Sequence, residues 1–332
     1  MAHKGTAYAY KVDTTPKIML AISERFCFVN RGFYLSMSLH HFQAPHAILL
    51  GMKNLNIAFV GHVCIDQNKT EQAEYTDWGS PAIYMAEYLR SQKHHTSTIL
   101  TSYGPDLLPH LPDVHLLPKK PNRDRTLIYE NNTRQFPRTR KVHNAESSTA
   151  PTLTAESVKV LESADIVIVA VLLPNYPRDF IEQLLQHIPS TALKVLYAQG
   201  YLCHVTADGT VVPHHFAEAP QIVPRFDITI MSEEDHPQAF RIAQDWLHNQ
   251  EKGYVIVTQG EQGASIVTPS TVRSMPTTPI PESQIIDSVG CGDIFSIATA
   301  CAFYESHNIE QAVRRGHQAA SRKLLSSHTP VV

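Results

Sequence analysis

The fold is decided by a glycine-containing turn near the end of the chain, IDSVGCGDIF at residues 286–295, which runs into an apolar stretch without proline. Gly290 and Gly292 flank one small residue and let the backbone come close to a ligand. The apolar stretch favours a helix, and its first turn leaves N–H groups without intrahelical acceptors. Such a helix start attracts anions, and phosphate above all. We therefore expect a phosphate-binding turn, although the Asp293 carboxylate could also simply complement the helix dipole.

The composition is that of a globular protein with a large core. The 332 residues are 43% hydrophobic and 18% charged, enough for one large α/β domain or two modest ones. A net charge of −3 gives no indication of nucleic acid or a membrane surface as a partner. The five cysteines are scattered without a CxxC pair, which predicts reduced thiols in a cytoplasmic setting. No apolar run reaches the roughly 18 residues that span a bilayer.

The first 51 residues have no clear period and no long apolar core of a secretory signal. Met52 is followed at once by a β-favouring run that reads as the first strand of a domain. We therefore predict an N-terminal extension of uncertain structure at residues 1–51 and a single domain at 52–332.

Strand and helix patterns alternate from residue 55 to residue 325. Residues 55–60 form an apolar run that ends at Gly61, and the run at 164–171 is typical of a strand buried on both faces. The remaining patterns predict strands at 193–197, 226–230 and 254–258, and helices at 177–187, 232–249 and 309–325. The alternation predicts an α/β fold, in which a mostly parallel sheet is flanked by helices in three layers.

Two segments near the first strand carry candidate binding residues. Asp66 lies just beyond that strand, and ligands of open α/β sheets bind outside the carboxyl ends of the strands. A plain turn residue is the alternative interpretation of this aspartate. Further along, Ser80 is a suitable N-cap and Pro81 suits the first position of a helix.

The stretch Asp287–Asp293 resembles the Asp-Thr-x-Gly-Ala-Gly-Asp signature of the ribokinase-like (PfkB) carbohydrate kinase family. Ser288 stands for the threonine and Cys291 for the alanine. The resemblance covers roughly residues 52–330, because weaker matches precede the signature in the family's order. It implies a ribokinase-like fold with a small β-sheet lid over the sugar, whose strands lie within about 63–76 and 122–143.

The resemblance also implies a role for each matching residue. Asp293 would be the catalytic base, and the N–H groups of Gly290, Cys291 and Gly292 would form the anion hole. The substrate would be bound by Asp66, Gly79 and Ser80. Ser80 departs from the family pattern, which usually has a second glycine at this position.

The nucleotide side of the site is implied in the same way. The TQGEQGA segment would form its wall through Thr258, Gly260 and Gly263. Asp287 would order the loop and contribute to a monovalent-cation site. A degenerate Asn-x-x-Glu match would give Asp235 a role in binding Mg²⁺, although a capping serine followed by acids explains the same residues without a ligand.

The implied reaction is transfer of the γ-phosphoryl group of ATP to a hydroxyl of a small sugar or related polyol. The alternatives are a nucleoside kinase, an inositol-like cyclitol kinase, and a catalytically degenerate member that binds sugar or nucleotide without turnover. The family's lid sheets can pair between subunits, so a homodimer through the lid is a further expectation. No nucleic acid or membrane partner is expected.

Two smaller features have competing interpretations. Cys291 is either a small apolar filler or a thiol that the helix start acidifies and makes sensitive to oxidation. A group of basic residues between positions 123 and 141 is interpreted as a solvated face and not as a phosphate clamp; its members are Arg123, Arg125, Arg134, Arg138, Arg140 and Lys141.

Overall fold

The computed structural model describes residues 54–70, 73–93, 95–134, 138–248 and 250–326. The strands are β1 Leu55–Gly61, β2 Cys64–Lys69, β3 Glu74–Gly79, β4 His95–Leu100, β5 Leu116–Leu117, β6 Leu127–Asn132, β7 Thr139–His143, β8 Ile166–Ala170, β9 Leu193–Tyr197, β10 Cys203–Val205, β11 Val211–Pro213, β12 Ile228–Ser232, β13 Tyr254–Thr258, β14 Ala264–Val267 and β15 Val272–Met275. The helices are α1 Pro81–Gln92, α2 Ala155–Glu162, α3 Arg178–Gln186, α4 Ala219–Ile222, α5 Ala239–Leu247, α6 Cys291–Ser306 and α7 Ile309–Leu324.

A nine-stranded sheet forms the centre of the fold, in the order β15-β14-β13-β12-β9-β8-β1-β4-β5. The strands from β13 to β5 pair in parallel, and β14 and β15 add two antiparallel strands at one edge. Strands β1, β9, β12 and β13 therefore end at the same edge of the sheet, and Thr258 is the last residue of β13 there. The other candidate residue, Asp66, follows β1 in the chain but lies within β2, which belongs to a second sheet. The predicted three-layer, mostly parallel fold is confirmed.

Helices cover both faces of this sheet because successive strand residues point to opposite sides. In β8, Val167 and Val169 pack in the core cluster that contains α2, α3, α4 and α5. Their neighbours Ile166 and Ile168 pack in the cluster that contains α1, α6 and α7. The continuous apolar run of this strand is thus explained by burial on both faces.

A separate four-stranded sheet has the order β3-β2-β6-β7. Strand β2 pairs in parallel with β6, and the two outer pairs are antiparallel. The expected lid segment at about 63–76 contributes two strands, β2 and β3, and the Thr70 N–H between them donates to the Ala73 carbonyl at 2.8 Å. Strands β6 and β7 lie within the second expected segment at about 122–143 and complete this sheet.

One predicted helix begins later than expected. Residues 233–238 form turns after β12, and α5 begins at Ala239 and not at Ser232. The Asp235 carboxylate accepts a bond from the Ser232 N–H at 2.8 Å, which closes a turn. Pro237 also disfavours a helical conformation for the residue before it.

Two further expectations concern the N-terminal extension and membrane-spanning helices. The predicted extension at 1–51 lies outside the described residues. Within the described ranges, no helix is both long enough and apolar enough to cross a bilayer.

Candidate active site

The site is built around the start of α6, where the chain turns sharply at Gly290. This residue is the N-cap, and its φ of 79° lies in the left-handed region that glycine adopts without strain. A Cβ atom at this position would lie 2.9 Å from the ring of Tyr84. Glycine is required here both for its backbone conformation and for the close approach of this ring.

The first N–H groups of α6 are the candidates for the expected anion hole. Among the residues that the structure describes, the N–H groups of Gly290, Gly292 and Asp293 have no hydrogen-bond acceptor. The Cys291 N–H, expected to belong to the same set, instead donates to the Ser288 carbonyl at 3.2 Å. The available donors are therefore the N–H groups of Gly290, Gly292 and Asp293, and not that of Cys291. The first turn of a helix leaves such N–H groups without an intrahelical acceptor.

The carboxyl group of Asp293 is buried in this first turn and 9% exposed. Burial raises its pKa to about 7; a hydrogen bond from Tyr197 and the charge of Arg138 oppose this rise, and the charges of Asp66 and Asp235 add to it. A carboxyl group with a pKa near neutrality can exchange a proton under ordinary conditions, as a general base must.

Asp66 is the second buried carboxyl group of the site, 4% exposed. Its oxygens accept bonds from the Cys64 thiol at 3.2 Å and the Tyr84 hydroxyl at 3.4 Å. Burial is the main reason that its pKa rises to about 7. A Cβ atom on Gly79 would lie 2.0 Å from Cγ of Asp66, so the carboxyl group occupies the space that a side chain there would fill. The predicted pair of Asp66 and Gly79 is therefore in direct contact.

Two tyrosines join these carboxyl groups to the helix start, and sequence reasoning missed both. The ring of Tyr84 packs against Gly290 while its hydroxyl reaches Asp66. Tyr197 is the last residue of β9, and its hydroxyl would lie 3.3 Å from a Cβ on Gly292. The position of Tyr197 at the carboxyl end of a predicted strand is the signal that could have identified it.

Ser80 caps α1 as the sequence predicts, because its hydroxyl accepts a bond from the Ile83 N–H at 3.2 Å. Its φ and ψ of 111° and 152° fall in a region that is essentially restricted to glycine. The departure from the family's second glycine therefore leaves the backbone in a glycine conformation and stores strain beside the predicted substrate residues Asp66 and Gly79.

Strand β7 and the residue before it bring Arg140 and Arg138 towards the site, and for Arg140 the interpretation as part of a solvated face is wrong. Arg140 is 7% exposed, and its Nη1 lies 3.7 Å from Oδ1 of the buried Asp235. The Nε of Arg138 lies 3.0 Å from a carboxylate oxygen of Glu234, and its charge acts on Asp293. Arg140 is therefore a buried charged group beside the candidate site, whereas Arg138 is 34% exposed and stays in contact with solvent.

The expected nucleotide wall is the turn between β13 and β14, which pair as an antiparallel hairpin. Gly263 has a φ of 98°, and a Cβ there would lie 2.3 Å from the Met275 carbonyl oxygen. Nothing lies within 4 Å of a Cβ built on Gly260, so the turn is open at this point. The hydroxyl of Thr258 donates to the Met231 carbonyl at 3.4 Å. Gly263 is thus explained by its positive φ and by packing, and Gly260 is the residue at which the turn is accessible.

The loop before α6 is fixed by Asp287. Its Oδ1 accepts a bond from the Val289 N–H at 2.9 Å, and its Oδ2 lies 3.1 Å from the Nζ of Lys323. Burial raises the pKa of the neighbouring Cys291 thiol to about 12. The helix start therefore does not acidify this thiol, and the interpretation of Cys291 as an apolar filler is favoured. In the described part of the chain, Cys64, Cys203, Cys291 and Cys301 are free thiols.

The site does not fit a magnesium ion held by Asp235. One oxygen of this carboxylate faces Arg140 and the other accepts the Ser232 N–H. Elsewhere in the described ranges, no group of three His, Cys, Asp or Glu residues could hold a metal ion. We therefore assign no step of the reaction to a metal ion bound by protein side chains.

A comparison with protein families matches residues 125–329 to the model described as "pfkB family carbohydrate kinase". The chain belongs to this family. The match includes the α6 signature and strands β8, β9, β12 and β13 of the sheet. A comparison with curated protein sequences finds no match.

Solved structures of PfkB-family kinases are similar in fold at low sequence identity. A pyrophosphate-dependent kinase of the ribokinase family, complexed with a pyrophosphate analogue and myo-inositol, has a TM-score of 0.65 at 15% identity and covers 82% of this chain and 97% of its own. Ribokinase from Arabidopsis thaliana, complexed with ribose and ATP, has a TM-score of 0.59 at 15% identity, with coverages of 83% and 94%. Adenosine kinase from Sinorhizobium meliloti has a TM-score of 0.62 at 12% identity, with coverages of 83% and 97%.

Proposed function

We propose that the protein transfers the γ-phosphoryl group of ATP to a hydroxyl of a small sugar or related polyol. One observation carries this proposal. The buried carboxyl group of Asp293, whose pKa is about 7, lies in the same helical turn as N–H groups that have no acceptor among the described residues. The candidate base and the candidate anion-binding donors are therefore adjacent, which supports phosphoryl transfer to an alcohol.

Phosphoryl transfer needs little covalent help from a protein, and depends on positioning and on charge stabilisation. Asp293 in its ionised form would accept the proton of the attacking hydroxyl. The N–H groups of Gly290, Gly292 and Asp293 would donate to the oxygens of the transferring phosphoryl group, favoured by the positive end of the helix dipole. The charge of Arg138, which already acts on Asp293, would add to this stabilisation.

Recognition of the acceptor is assigned to Asp66. Its carboxyl group is buried in strand β2 of the small sheet, and its oxygens can accept bonds from hydroxyl groups of a polyol. Gly79 leaves room for this carboxyl group, and the hydroxyl of Ser80, the next residue in the chain, is assigned to the same recognition. A site of this kind rejects analogues that lack a hydroxyl, because they leave a buried polar group unpaired.

The class of acceptor can be identified by measuring turnover with a panel of candidate acceptors and donors. Cyclitols and nucleosides belong in the acceptor panel beside pentoses and hexoses, because similar folds include a kinase complexed with myo-inositol and an adenosine kinase. Pyrophosphate belongs beside ATP as a donor, because the same myo-inositol complex is described as pyrophosphate-dependent. A donor and acceptor matrix on the full-length chain therefore tests both halves of the proposal.

The decisive variant is Asp293→Asn, which keeps the shape of the side chain and removes the base. We expect kcat to fall by about 10²-fold to 10⁴-fold with the best acceptor. Asp208→Asn is the control, because it changes an exposed aspartate in the hairpin between β10 and β11. Equal turnover by wild type and Asp293→Asn would contradict the proposal. Binding of ATP or sugar without turnover of any acceptor would favour a binding protein on a kinase scaffold.

A further inference from the structure

Lys323 and Asp287 form an ion pair between the end of α7 and the loop that precedes α6. The Nζ of Lys323 lies 3.1 Å from Oδ2 of Asp287, and the two side chains are only 11% and 14% exposed. The second oxygen of the carboxylate accepts the Val289 N–H at 2.9 Å. Both oxygens of Asp287 therefore already have a partner, one of them a full positive charge.

The surroundings of the pair are those of a cation site. Lys323 lies in the last turn of α7, where the carbonyl groups of a helix end favour a positive charge. The loop is held to the same helix end by a bond from the Ile286 N–H to the Leu324 carbonyl at 2.9 Å. The Lys323 and Asp287 charges both act on the thiol of Cys291, one residue after the N-cap of α6. The pair thus lies directly beside the proposed anion hole.

The family resemblance implies a monovalent-cation site at Asp287, and in this protein the Lys323 ammonium lies against that carboxylate. We propose that the Lys323 ammonium is a built-in cation that orders the glycine-containing loop, so that the protein needs neither K⁺ nor Na⁺ at this position. A free ion at Oδ2 would place a second positive charge next to the ammonium, where both are largely shielded from water. The effect on turnover rests on the proposed phosphotransferase function, whereas the effect on ion binding does not.

The competing interpretation is an ion pair that only stabilises the fold. The two interpretations differ in what Lys323→Met does. This variant keeps the unbranched apolar stem, removes the charge and leaves the buried Asp287 carboxylate without its cation. If the position is a cation site, small monovalent ions should bind there in Lys323→Met and restore the order of the loop. If the ion pair only stabilises the fold, no ion should raise the stability of this variant.

The test compares full-length wild type, Lys323→Met, Lys323→Arg and Lys119→Met by thermal unfolding. Lys119 belongs to an exposed ion pair with Glu156 and serves as the control for loss of a lysine charge. Each protein is unfolded in KCl, NH₄Cl and choline chloride at matched ionic strength. We expect the Tm of wild type, Lys323→Arg and Lys119→Met to be the same in all three salts. We expect the Tm of Lys323→Met to be lower in choline and to rise by about 2–4 °C in KCl or NH₄Cl, because those ions bind the folded state.

An activity measurement follows the same design once an acceptor is known. Wild-type turnover should change by less than about twofold between the three salts, and Lys323→Met should regain at least about fivefold in KCl or NH₄Cl over choline. A wild-type Tm or turnover that depends on K⁺ beyond ionic strength would overturn the proposal, as would a folded Lys323→Met that responds to no ion. If Lys323→Met does not fold, the salt dependence of the Tm of wild type and Lys323→Arg decides whether the proposal holds. Loss of turnover in every salt with the expected Tm pattern would count against the proposed function and not against the built-in cation.

Discussion

Arg140 of the small sheet and Asp235 of the turn after β12 form a buried ion pair, with 3.7 Å between Nη1 and Oδ1. The two side chains are 7% and 4% exposed, so neither charge is well solvated. This pair joins the small sheet to the edge of the large sheet at which Asp293 also lies. The ion pair therefore contributes to holding the small sheet against the edge of the large sheet, next to the candidate site.

Replacing one partner of this pair should destabilise the protein strongly. Arg140→Met leaves the Asp235 carboxylate buried without a counter-charge, and we expect the free energy of unfolding to fall by about 3–5 kcal/mol. The double variant Arg140→Met, Asp235→Leu should lose much less, because no unpaired charge stays behind. Urea unfolding of the two singles and the double measures the difference. Additive losses would show that the two charges do not interact.

The pH dependence of turnover should report the environment of Asp293. Burial raises the pKa of this carboxyl group to about 7, and only its ionised form can accept a proton. We therefore expect kcat/KM to rise with pH through about 7 and then to level off. The measurement is kcat/KM for the best acceptor at pH values on both sides of neutrality. A profile that is already flat below pH 6 would contradict the raised pKa.

Tyr197→Phe should shift that profile in a defined direction. The Tyr197 hydroxyl donates to Asp293 and stabilises its ionised form, so its removal raises the pKa of the carboxyl group further. We expect the rising limb of kcat/KM to move up by about 0.5–1 pH unit, with wild-type turnover recovered at high pH. Tyr201→Phe is the control, because that hydroxyl donates to the Tyr176 carbonyl instead. The same limb in Tyr197→Phe as in wild type would show that the bond has no role in tuning the base.

Two substitutions at Ser80 should change stability in opposite directions. Ser80→Gly relieves a backbone conformation that costs about 1–3 kcal/mol, while glycine is still a tolerable N-cap. We expect the free energy of unfolding to rise by about 1 kcal/mol after the added chain entropy of glycine is subtracted. Ser80→Ala keeps the strain and loses the bond to Ile83, so it should lose about 1 kcal/mol. Urea unfolding measures both, and the same sign for both variants would refute the assignment of strain.

The two glycines of the α6 signature should not tolerate alanine equally. Gly290→Ala forces a left-handed φ on alanine and brings its Cβ against the Tyr84 ring, so we expect a loss above about 2 kcal/mol. Gly292 is helical, and a Cβ there meets only the Tyr197 hydroxyl at 3.3 Å. Because alanine favours a helix over glycine, Gly292→Ala should lose less than about 1 kcal/mol. Urea unfolding ranks the two, and the reverse order would contradict the geometry.

Local patterns were sufficient to predict much of the fold. The runs at 193–197 and 254–258 form strands with those bounds, because each is an apolar, β-favouring segment. The α6 start was predicted from its two glycines and its acid, which specify a turn into a helix without reference to the rest of the chain. Asp66 was placed from one local fact, its position just beyond the first strand.

The remaining features depend on partners that are distant in sequence. Arg140 appears as one basic residue of a charged hairpin until Asp235 is placed against it. Lys323 likewise looks like a basic residue in the last turn of a helix until Asp287 approaches it. The start of α5 was misplaced because Asp235 closes a turn with Ser232, although the same residues also suit a helix cap. Periodicity cannot decide between these alternatives, since both satisfy the backbone locally.

Tyr84 contacts the proposed acceptor side through its hydroxyl on Asp66 and the proposed phosphate side through its ring on Gly290. One rigid side chain therefore spans the two halves of the site. A polyol that displaces the hydroxyl from Asp66 would also alter the packing of the ring on the anion-binding turn. We expect binding of acceptor and donor to be cooperative, and thermodynamic reciprocity requires each ligand to change the affinity for the other by the same factor. Tyr84→Leu should uncouple the two ligands in calorimetric titrations.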